Sequence, residues 1–92
     1  MVNEVEGYVE EFYSKIMENI RIANLDMSQS KVAVVHLEYP TSDIYVINNT
    51  NKELIRVLDN LGYDAYINYS ETIEGTNIYR ATVKWVGRLE DY

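Results

Sequence analysis

Residues 50–86, TNKELIRVLDNLGYDAYINYSETIEGTNIYRATVKWV, decide the fold of this chain. Leu54, Val57, Leu58 and Leu61 recur at helical spacing and form one apolar stripe. Thr50 and Glu53 have the T-x-x-E form of a capping box, which places the helix start at Thr50. Gly62 supplies the left-handed residue that closes a helix, and Tyr63 falls where such a cap sets an apolar side chain back onto Leu58. The period then changes to two. Tyr63, Ala65, Ile67 and Tyr69 alternate with Asp64, Tyr66 and Asn68. Beyond a polar Ser70–Asn77 segment, Tyr79, Ala81, Val83 and Trp85 alternate with Arg80, Thr82 and Lys84. The reading is a helix over 50–62 and a β-hairpin over 63–86, the hairpin showing the helix one apolar face.

Upstream, Lys31–Tyr39 is β-branched and apolar, the pattern of an inner strand. Pro40 ends it, and Thr41-Ser42-Asp43 makes a turn. Ile44–Ile47 (IYVI) reads as a second, short strand, so 31–47 forms a strand region and Asn48–Asn51 the loop into the helix. Residues 1–27 hold a long amphipathic helix whose stripe is Val5, Val9, Phe12, Ile16, Ile20, Ala23 and Met27. Twenty-five helical residues would be about 37 Å long. Tyr8, Phe12, Tyr13 and Met17 make the apolar side wider than one neighbour covers. That width points to a homodimer with these four residues at its interface. Ser28–Lys31 is a connection and Arg88–Tyr92 an acidic tail. The whole of 1–92 is a single α+β domain of order α-β-(β)-α-β-β: an antiparallel sheet of three or four strands with two helices on one face.

Composition excludes more chemistry than it proposes. The chain has 92 residues, 47% of them hydrophobic and 25% charged, enough for one modest core. No apolar run is long enough to span a bilayer, and the N-terminus lacks the pattern of a signal peptide. Zero cysteines remove disulfides and zinc–thiolate sites together. An intracellular, cytoplasmic protein is expected. His36 is the lone histidine and sits in a strand, so neither a metal site nor a placed catalytic base follows. Gly7, Gly62, Gly75 and Gly87 are scattered, so there is no phosphate-cradling loop. A protein with no cofactor and no enzymatic activity is expected.

Charge carries the functional content. Fifteen acids against eight bases give a formal net charge of -7. Such a chain is repelled by phosphate backbones and drawn to basic surfaces. Glu4, Glu11 and Glu18 stand seven apart and drift only about 20° per step, so they line one side of the first helix. Glu6 and Glu10 form a like-charge pair on the other flank, costing a few tenths of a kcal/mol. The helix dipole favours Glu4 and Glu6 but not Glu10 or Glu18. Lys15 is placed to pair with Glu11 and Glu18, which would make that side an ordinary solvated face. These five glutamates, with Glu38, Asp43, Glu71 and Glu74, are the candidate partner-binding residues. Positive charge and an aromatic gather only at Tyr66, Arg80 and Lys84, too sparsely against -7 for direct nucleic-acid binding.

The order of a long acidic helix, the strand VAVVHLEYP, the helix KELIRVLDNLGY and a hairpin closing in VKW resembles small proteins of tailed bacteriophages. The resemblance spans nearly the whole chain, and its marks are LGY at a helix end and a terminal strand with Trp. The Asp43–Asn49 segment is longer than that pattern has. The resemblance implies an early, acidic host-takeover protein acting in the infected bacterial cell. Some such proteins mimic DNA, among them an inhibitor of the nucleoid protein HU from a large lytic Bacillus phage. The implied partner is a basic host DNA-binding protein such as HU. A phage structural or adaptor module is the alternative, and a regulator using the Arg80/Lys84 face on nucleic acid ranks below it.

Overall fold

A computed structural model describes residues 3–25 and 31–85. Its order is α1 (Glu4–Leu25), β1 (Val32–Tyr39), α2 (Ile44–Asn60), β2 (Asp64–Ile73) and β3 (Thr76–Lys84). The expected α+β class is what is found, and of the expected three or four strands the described residues form three. The expected 28–31 connection lies largely outside the described residues, and the 88–92 tail lies wholly outside them.

The strands run in the order β1-β3-β2, both contacts antiparallel, so β1, expected as an inner strand, is an edge and β3 is the inner strand. β1 and β2 are therefore parallel to each other, with β3 inserted between them and α2 as the crossover. Along β1 every second residue is buried: Ala33, Val35, Leu37 and Tyr39. They register against Val83, Ala81, Tyr79 and Asn77 of β3, and onward to Ala65, Ile67, Tyr69 and Thr72 of β2. Both helices cover this face. Phe12, Ile16 and Ile20 of α1 and Ile47, Leu54 and Leu58 of α2 complete the core.

The segment 44–47 is helix, not strand. Asp43 is the N-cap of α2, its carboxylate accepting from the Tyr45 and Val46 amides at 3.0 and 3.4 Å. Thr50 is thus two turns inside the helix, and the capping box does not form. Glu53 instead chelates Arg56 through two hydrogen bonds. The Thr50 side chain is 0% exposed and its hydroxyl has no hydrogen-bond partner. The other helix end is as expected. Gly62 has φ +94°, Tyr63 N–H donates to Leu58 C=O at 3.0 Å, and Gly62 N–H donates to Asp59 C=O at 3.0 Å. These two bonds are the Schellman pair.

The polar 70–77 segment is mostly strand. A bulge at Ser70 and a two-residue turn at Glu74-Gly75, φ +49° and +81°, take up the irregularity. Two successive positive φ values give the primed turn that suits the twist of a hairpin.

The apolar width of α1 is used inside the chain. Tyr8 and Phe12 stack at 5.7 Å and both meet the Tyr39 ring edge-on, at 5.3 and 5.1 Å. Tyr39 continues edge-on to Tyr79, and Tyr79 to Tyr69. Phe12 is 1% exposed, so the chain's own core removes it from any dimer surface. Tyr8, Tyr13 and Met17 are half-buried against the same core, so the width of α1 no longer calls for a second chain. Burial pushes the Tyr39 hydroxyl above the usual phenol range. That hydroxyl donates to Asn51 Oδ1 at 2.5 Å. The Thr50 hydroxyl is near enough to soften the shift yet lies outside hydrogen-bond geometry.

Candidate protein-binding surface

The first turn of α1 fixes where its acids point. Asn3 Oδ1 accepts from the Glu6 amide at 2.8 Å and Asn3 C=O from Gly7 N–H at 3.1 Å, so Asn3 is the N-cap. Burial of Phe12, Ile16 and Ile20 then turns Glu4, Glu6, Glu10, Glu11 and Glu18 to solvent. Successive members of the Glu4–Glu11–Glu18 row stand about 10 Å apart along the axis.

Lys15 does not neutralise that row. Its Nζ reaches away to the His36 carbonyl of β1 at 2.9 Å. Only Glu18 keeps an ion-pair partner among the described residues, Arg21, and that pairing holds its carboxyl below the usual range. Because Lys15 reaches β1, the Glu4–Glu11–Glu18 side of α1 overlooks the outer edge of that strand. Glu38 lies beside the same edge, on the uncovered face of the sheet.

On its other flank α1 meets α2 across a groove of about 680 Å³. Val5 and Val9 contribute its apolar lining, and Glu6 and Glu10 stand on the α1 wall. Asn49, Lys52, Glu53 and Arg56 form the α2 wall. Three carboxylates thus share the groove with two cations, of which Arg56 pairs with Glu53. Sequence reasoning missed this wall, although the 49, 52, 53, 56 spacing marks one helix face.

The remaining acids do not join one patch. Asp43 caps α2 through one carboxylate oxygen and stays exposed at the start of that helix. Glu71 shares a row with Ile78 and Glu38 on the uncovered sheet face, and Glu74 sits at the hairpin tip. That face also holds the rows His36–Arg80–Asn68, Val34–Thr82–Tyr66 and Val32–Lys84–Asp64. Lys84 Nζ lies 5.6 Å from the Tyr66 ring centre, so cation and aromatic engage each other. Among the described residues no three acidic or histidine side chains gather as a metal site would need.

No family model, curated protein or solved structure matches this chain. Its own surface is then the source of any functional reading. No helix among the described residues is long and apolar enough to cross a membrane. What the surface can do chemically is present carboxylates. Glu4, Glu6, Glu10 and Glu11 stand on one rigid helix with no ion pair among the described residues.

Proposed function

We propose that this chain is a non-enzymatic inhibitor that mimics DNA and occupies the DNA-binding surface of a basic bacterial protein such as HU. The carrying observation is that the exposed Glu4, Glu6, Glu10 and Glu11 of α1 have no ion pair among the described residues, Lys15 being diverted to β1. Presented on a helix held by Phe12, Ile16 and Ile20, they need little reordering on binding. Glu6 and Glu10, one turn apart, stand about 6 Å from each other, close to the phosphate spacing along a nucleic-acid strand. A net charge of -7 steers the encounter with a basic surface. The sequence's resemblance to phage host-takeover proteins implies that this action belongs to the infected cell.

The test is competition for duplex DNA bound to HU, followed by fluorescence anisotropy across a salt series. Wild type displaces DNA, and Glu4, Glu6, Glu10 and Glu11 changed together to Gln weaken displacement and flatten its salt dependence. Arg80→Gln with Lys84→Gln leaves displacement unchanged or stronger. Equal competition by the quadruple variant removes α1 as the mimic surface. No displacement of any basic DNA-binding protein at low salt removes mimicry itself. The adaptor reading then stands, favoured by the exposed Tyr66, Tyr69 and Ile73 of β2.

A further inference from the structure

The two edges of the sheet are finished differently. On β1, Lys15 reaches the His36 carbonyl, a lysine guard of the kind that blunts an edge strand. All four core-facing residues of β1 are buried. β2 has neither protection. Residues 63–73 contain no Lys, Arg or Pro. Its core-facing Ala65 and Ile67 are only half covered and Tyr69 is 57% exposed, so α2 stops short of this edge.

Register shows which backbone groups are free. Trp85 N–H donates to Lys31 C=O at 3.2 Å, so odd-numbered residues of β1 and the β3 end of the chain bond one another. Even-numbered residues of β3 turn to β2 and meet Asp64, Tyr66 and Asn68. By alternation Ala65 and Ile67 turn N–H and C=O outward. Among the described residues nothing bonds to them.

We infer that β2 is the interface of a twofold homodimer, pairing antiparallel with β2 of a second copy to make one six-stranded sheet. The register that selects a second copy is centred on Tyr66. Ala65 and Ile67 of one copy then exchange both backbone bonds with Ile67 and Ala65 of the other. On the uncovered face Tyr66 meets its twin and Asp64 meets Asn68. On the core side Tyr63 meets Tyr69, which covers the exposed ring. No acid faces an acid, and the bulge at Ser70 stays outside the paired segment. Aromatic pairs and an acid–amide pair directly opposite are favourable cross-strand neighbours.

Sedimentation equilibrium over a micromolar concentration range tests this, with amide exchange read by NMR. Wild type approaches twice the monomer mass, and added salt tightens the dimer, because both copies carry -7. Salt weakens a DNA-mimic complex, so the two claims fail separately. The Ala65 and Ile67 amides exchange slowly in the dimer. Ile67→Pro deletes an outward N–H and leaves the β2–β3 ladder intact, giving a folded monomer. If that variant does not fold, Tyr66→Lys decides. It lowers the net charge, yet sets like charges opposite each other and weakens the dimer. A wild type monomeric throughout, fast exchange at Ala65 and Ile67 in a dimer, or a Tyr66→Lys dimer as tight as wild type each overturns the inference.

Discussion

Replacing Thr50 by Val is expected to stabilise the protein. Thr and Val are nearly isosteric and equally β-branched, so shape and backbone preference are held constant. The Thr50 side chain is 0% exposed and its hydroxyl is unpartnered. A buried polar group left unsatisfied costs about 1–3 kcal/mol, and a methyl in its place adds roughly 0.8 kcal/mol of apolar burial. Tyr39 keeps its bond to Asn51, so nothing else is orphaned. Allowing for relaxation, the gain is about 1–2 kcal/mol. For a domain this size, each kcal/mol raises Tm by about 4–8 °C. Urea titration followed by circular dichroism reads the change as a higher midpoint at unchanged slope. The companion change is Asp43→Ala, which removes the actual cap and costs about 1 kcal/mol. A helix capped at Thr50 would give the opposite pattern: Thr50→Val destabilising by about 1 kcal/mol and Asp43→Ala near neutral. That result would refute the placement of the α2 start.

Leu58→Ala, at the fully buried contact of α2 with the sheet, is expected to cost about 2–5 kcal/mol in the same titration. Alkaline pH tests the buried phenol. Because the folded Tyr39 holds its proton above the usual range, its contribution is complete below about pH 10 and is lost as pH rises beyond it. Tyr39→Phe therefore flattens the alkaline fall in stability, measured as midpoint against pH.

The C-terminal end of α2 was legible because its signal is local. Leu58, Gly62 and Tyr63 interact within six residues, and only Gly tolerates φ +94° cheaply. The N-terminal end carries competing local signals. Ile44, Val46 and Ile47 favour strands, and Asn48, Asn49, Thr50 and Asn51 are poor helix formers. The correct signal was present in Asp43 followed by Ile47, Thr50, Leu54 and Leu58 at helical steps. Tertiary burial of that stripe outweighed propensity. The acids of α1 were correctly set on the solvent face by periodicity alone. The fate of Lys15 could not be read that way, because its partner is a backbone carbonyl 21 residues away. Tyr39 is farther still in sequence from Tyr8 and Phe12, so periodicity within α1 could not show that these rings pack together inside the chain.

Trp85, the single tryptophan of the chain, has an optical consequence. Its indole meets Tyr63 edge-on at 5.8 Å, and its N–H donates to Asn24 Oδ1 at 3.2 Å. One fluorophore therefore senses the end of α1, the exit of α2 and the last residue of the hairpin together. The Tyr8–Phe12–Tyr39–Tyr79–Tyr69 rings lie towards the opposite end of β3 and dominate the tyrosine signal there. Selective excitation of the indole then follows one end of the molecule, while near-ultraviolet dichroism of the phenols is weighted towards the other by the ring cluster. Coincident melting curves from the two colours would establish a single cooperative unit. A lag between them would name the end that opens first.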